Sequence, residues 1–149
     1  MISFTRAPSN LMREDRVARI IASQNLFFDL VEREAEAPQN AFKHGPSRPH
    51  RYDFFEMVEL TIGDLGGLTL DFEAKRPADH PIPEVQCTVS VGVFRNERYK
   101  LATELEENVF VPIITDQGSV LWQHRDGGTG HTPQQLCGLA FQRLRDHAN

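Results

Sequence analysis

His124, Asp126 and His131 fall within eight residues of one another. Imidazole and carboxylate are the groups that bind zinc or iron, or that pair as general acid and base. Their spacing matches no established ligand pattern. His124 ends an apolar alternation and His131 directly precedes a helix cap, so the plainer reading is two exposed histidines at a strand end and in a loop. The same stretch carries Gly127, Gly128 and Gly130 and runs into a helix start at Thr132-Pro133. Free amides at Gly128, Gly130 and Thr132, aided by the positive end of the helix dipole, could hold a phosphate or carboxylate. The segment lacks the Lys of a Walker sequence and the spacing of a Rossmann turn, which leaves a flexible strand-to-helix connection as the competing reading.

Other candidates are weaker. His80 beside Asp79 offers a base with a neighbouring carboxylate, but adjacent loop residues often point apart. His44 and His50 flank Gly45-Pro46 among Lys43, Arg48 and Arg51, a basic set able to grip an acidic partner or phosphate. A solvated loop is the alternative there. Cys87 alternates with valines and Cys137 lies beside a helical stripe, which suits small buried hydrophobes better than reactive thiols. Trp122 is expected to anchor the core or a homodimer contact. No GxSxG, HExxH, paired CxxC, Walker or Rossmann signature is present, and no nucleophile has an assignable base. The chemistry points away from an enzyme, and no cofactor is expected.

The elements that would position these groups follow from periodicity. Val17, Ile20, Ile21, Phe27, Phe28, Val31 and Ala35 recur at helical spacing, predicting a long helix over 11–36. Ser9 or Asn10 would cap it, with Glu14 and Asp15 in the first turn and Pro38 beyond its end. Residues 37–51 contain three prolines and show neither period, which predicts a long basic loop. From residue 54 the period becomes two. Strands are predicted over 54–62, 68–75, 85–94, 99–105, 109–115 and 120–124, with turns at the glycines of 63–67, at 95–97 and at 116–118. Pro112 places its strand at an edge or a bulge. Thr132-Pro133-Gln134-Gln135 reads as a capping box opening a helix that runs to about Asp146.

These elements make a single α+β domain over residues 1–149, a roughly six-stranded antiparallel meander with both helices on one face. A length of 149 residues suits one core. No run of apolar residues is long enough to span a bilayer, no signal peptide is evident, and two cysteines make no disulfide framework, so a cytoplasmic, non-membrane protein is expected. Of the net charge of −5, the acidity sits in residues 52–119, with 13 Asp and Glu against 5 Lys and Arg. That balance disfavours nucleic acid.

The uncovered sheet face would present Glu59, Thr61, Thr69, Asp71, Glu73, Gln86, Thr88 and Ser90, either solvated or as a working surface. The favoured expectation is a non-catalytic module, like an immunity protein, antitoxin or secretion chaperone in size and charge, that holds another protein with a basic surface. Glu59, Asp71 and Glu73 would carry it, with Lys43, Arg48 and Arg51 as further contacts. A small enzyme or ligand-binding domain using His124, Asp126 and His131 in the loop 125–133 is the second expectation, and a subunit of a larger homomeric assembly the third.

Overall fold

A computed structural model describes residues 9–36, 47–51, 57–62, 66–75, 86–95 and 103–148 of the chain. Two helices, α1 (Ser9–Glu34) and α2 (Pro133–Ala148), bracket six strands. The strands are β1 (Ser47–Arg51), β2 (Met57–Ile62), β3 (Gly66–Lys75), β4 (Gln86–Arg95), β5 (Thr103–Ile114) and β6 (Val120–His124). They form one sheet in sequence order, every neighbouring pair antiparallel, which is the meander that the period-two runs predict.

Alternation decides which face is which. Val58, Leu60, Leu68, Leu70, Val89, Val91, Val93, Phe110 and Trp122 are buried together with Phe27, Phe28 and Val31 of α1 and Leu136, Ala140, Phe141 and Leu144 of α2. Each such aliphatic or aromatic side chain removed from water contributes about 2 kcal/mol, so the helices are fixed on this face by burial. Trp122 is a core anchor, fully buried, and its Nε1 donates to Ser23 Oγ at 3.0 Å. Cys87 and Cys137 are buried free thiols. Burial pushes both thiols up, Cys137 to about 11, which suits hydrophobes and not nucleophiles. No helix among the described residues is long and apolar enough to cross a membrane.

The capping box forms as predicted, with Thr132 N–H donating to Gln135 Oε1 at 2.9 Å and Gln135 N–H to Thr132 Oγ1 at 3.2 Å. The turn at 116–118 also forms, with Gly118 at φ +85° donating to the Thr115 carbonyl at 2.9 Å. At Gly67 a Cβ would stand 1.7 Å from the Leu60 carbonyl oxygen, so only glycine lets β3 lie this close to β2.

Several expectations need correction. Residues 37–51 are not all loop, because 47–51 pair with β2 from Ser47↔Ile62 to Arg51↔Val58 and form the edge strand β1. Pro49 and the charged neighbours hide the strand period, and pairing supplies what propensity withholds. Residues 103–105 and 109–114 of the predicted strands 99–105 and 109–115 belong to one strand, β5, whose register against β4 shifts between Val93 and Phe94, while 99–102 lie outside the described residues. That irregularity breaks the alternation at Leu105 and makes one strand read as two. The first helix begins at Ser9, so Glu14 and Asp15 lie beyond its first turn.

Pro112 does not put its strand at an edge of the sheet, because β5 lies between β4 and β6, nor does the register irregularity fall there. The β4–β5 register runs from Arg95↔Thr103 to Val89↔Phe110, and Pro112 lies past its end. Opposite it, Trp122 gives both backbone groups to His131, at 2.7 and 2.8 Å, so the Pro112↔Trp122 pair turns its backbones away from each other and the missing amide costs no ladder bond.

Candidate functional site

Two polar regions emerge, one on each face of the sheet. On the face away from the helices, odd residues of β3 and even residues of β4 meet Glu107 of β5 and, beyond the irregularity at Leu105, Glu104. Glu59, Thr69, Asp71, Ser90, Gly92, Phe94, Glu104 and Glu107 line a shallow depression of about 370 Å³. Asp71 pairs with Ser90 and Gly92 with Glu107, which places these carboxylates around a floor made by Gly92. A Cβ there would meet nothing nearer than the Glu106 carbonyl oxygen at 3.7 Å, so glycine is not required by packing, and its effect is to keep the floor open. Burial first, then the charges of Glu73 and Glu107, push the Asp71 carboxyl above its ordinary value. Like charges held together in this way favour a cation beside them.

Of the predicted partner residues, Glu59 and Asp71 meet in this depression, and Glu73 acts on Asp71 from two positions along β3. Glu104 and Glu107 were not singled out, though their acidity within a strand was the available signal. Lys43, His44, Asp79 and His80 lie outside the described residues. Arg48 pairs through its backbone with Thr61.

Arg51, expected as a further partner contact, is engaged by α1. Its Nη1 donates to Asp29 Oδ1 at 2.7 Å and Glu32 Oε1 at 3.2 Å, and its Nη2 to Asn25 Oδ1 at 3.0 Å, while the guanidinium lies 5.7 Å from the centre of the Phe28 ring. The planar fork is therefore committed to α1.

The second region lies on the helix side of β5 and β6. His124 Nε2 is 3.0 Å from Asn108 Oδ1, Asn108 Nδ2 donates to Glu106 Oε1 at 2.7 Å, and Glu106 Oε2 is 2.8 Å from His147 Nε2. Arg143 Nε stands 3.4 Å from Glu106 Oε1. Burial works against ionisation of Glu106, but hydrogen bonds from His147 and Asn108 and the charges of Arg143 and His147 outweigh it and hold the carboxyl below its ordinary value. This chain of side chains ties α2 to β5 and β6.

His124 and His131 flank one ring, at 5.4 and 6.2 Å from the centre of Phe110, and Asp126 Oδ2 is 3.8 Å from His124 Nδ1. Among the described residues no group of three or more His, Cys, Asp or Glu side chains could hold a metal ion. His124, Asp126 and His131 are thus neighbours around Phe110 that do not form such a group. Of the amides expected to cradle an anion, at Gly128, Gly130 and Thr132, that of Thr132 serves the cap, and the neighbouring His131 N–H donates to Trp122. The Gly128 carbonyl accepts from Gln123 Nε2. Comparison of the chain with family models, with curated proteins and with solved structures gives no match.

Proposed function

We propose that this chain is a non-catalytic protein-binding module whose acidic sheet face holds a partner with a basic surface. One observation carries the reading: Glu59, Asp71, Glu104 and Glu107 converge on a depression opened by Gly92, where burial and the charges of Glu73 and Glu107 push the Asp71 carboxyl up. An incoming Lys or Arg beside Asp71 would offset the charges of Glu73 and Glu107 on it and supply steering and register to the encounter. The buried, unbridged Cys87 and Cys137 support a reducing compartment as the setting.

The test is affinity capture of the tagged chain from lysate of its native source at low salt, with mass spectrometry and a salt titration of what is retained. A stoichiometric basic protein released by moderate salt is expected. Glu59→Lys and Asp71→Lys should lose it chiefly through slower association, and Gly92→Val should weaken it by filling the depression with every carboxylate still present. Retention unchanged by all three substitutions would overturn the assignment.

A further inference from the structure

The direction of the hydrogen bonds around His124 fixes its proton. Asn108 Nδ2 donates to Glu106 Oε1, so Asn108 turns its Oδ1 toward His124, and His124 Nε2 must donate to it across 3.0 Å. On the opposite side of the ring, the backbone N–H of Asp126 donates to His124 Nδ1 at 3.1 Å. Both ring nitrogens are therefore satisfied only by the neutral Nε2–H form. A second proton, arriving at Nδ1, would face the Asp126 N–H donor to donor. Asp126 Oδ2, 3.8 Å away, is an acceptor that could replace it.

Two glycines beside this contact leave the backbone room for another conformation. Gly127 and Gly128 have φ of +111° and +112°, and a Cβ on either would meet nothing within 4 Å. The ends are held, by Arg125 N–H on the Val109 carbonyl at 2.8 Å on one side and by the two His131–Trp122 backbone bonds on the other, and within the loop Gly127 N–H donates to the His124 carbonyl at 2.9 Å and the Gly128 carbonyl accepts from Gln123 Nε2. The groups that face His124 are Asp126 from the loop, Asn108 and behind it Glu106 from β5, and His131 across the Phe110 ring. Arg143 and His147 of α2 reach it only through Glu106.

We infer that the loop 125–130 is a pH-responsive element, released from the Asp126 N–H contact and re-paired through the Asp126 carboxylate when His124 takes up a proton. The Asn108 contact is kept in both states, since Nε2 donates in each, so the change is confined to the loop and does not reach the His147–Glu106 end of the chain. A loop that alters its backbone beside β6 changes the rim of the sheet without disturbing the core.

Nitrogen-15 NMR of the full chain between pH 8 and pH 5 tests this directly. At pH 8 the ring nitrogens of His124 should report the Nε2–H form. On acidification the Asp126, Gly127 and Gly128 amides should shift with the midpoint of the His124 ring, in His131→Gln as in the unaltered protein, and the response should be lost in His124→Gln. An Nδ1–H ring at pH 8 overturns the inference, as do loop amides that stay still while His124 titrates or that follow His131. The ring form and the matched midpoints are read on the unaltered protein, so they decide the question even if His124→Gln fails to fold.

Discussion

Arg51 Nη1 lies 2.7 Å from Asp29 Oδ1, joining the outermost strand of the sheet to a helix 22 residues earlier in the chain. The pair explains how β1, with a proline and two arginines among its five residues, remains on the sheet. Removing the fork while keeping apolar length, as in Arg51→Met, should cost about 1 kcal/mol, because the pair is half in solvent and exposed ion pairs are worth little. Arg51→Lys should recover only part, since an ammonium cannot serve Asp29, Glu32 and Asn25 together. Urea denaturation measures both, and a loss of partner capture with unchanged stability would contradict the clamp.

Gln24 is fully buried in α1, and among the described residues neither its Oε1 nor its Nε2 has a hydrogen-bond partner. A buried amide left unsatisfied costs about 1–3 kcal/mol. Gln24→Met, which keeps length and volume, should therefore raise the urea midpoint by a corresponding amount. A lowered midpoint would mean that the amide is satisfied in solution.

Asp71 has its carboxyl raised by burial and by Glu73 and Glu107. Its folded pKa lies above its unfolded one, so the folded state binds the proton more tightly. Stability is greatest below the unfolded pKa and falls as pH rises through the window up to the folded value. Asp71→Asn should remove that fall, giving a higher Tm at pH 7 together with weaker capture of a basic partner. Opposite signs in the two assays are the expected signature; a lower Tm would contradict it.

Glu106 behaves in reverse. Its folded pKa is depressed, through contacts with His147, Asn108 and Arg143 that outweigh burial. The stability it contributes is present above the unfolded pKa and is lost as pH falls through the folded one. Glu106→Gln should flatten the acid limb of the stability profile, measured by urea midpoints from pH 7 to pH 3, with no effect on the acidic sheet face. An acid limb as steep as that of the parent would sink this account.

The parts legible from sequence were those whose period or cap is local. The alternations of β3 and β4, the Thr132–Gln135 box and the stripe of α2 each depend on residues a few positions apart, and each formed as read. β1 was hidden because its pairing with β2 and its Arg51 fastening are both remote. β5 was split because Glu106 and Asn108 stand on its helix-facing side, where Phe110 leads one to expect apolar residues. That misfit was the one available signal of the chain from His124 to His147. The two ends of that chain come from elements with no motif in common, so spacing could not show it.

The end of β5 bears on how copies of the molecule behave toward each other. Beyond Phe110 the strand outruns its pairing with β4, and such an overhang is a template on which a foreign strand can grow. Pro112 stands within it and turns toward that side a carbonyl with no amide beside it. An added strand would meet a ladder with a rung missing, so the same residue that fits silently against Trp122 also discourages the chain from polymerising through its own sheet.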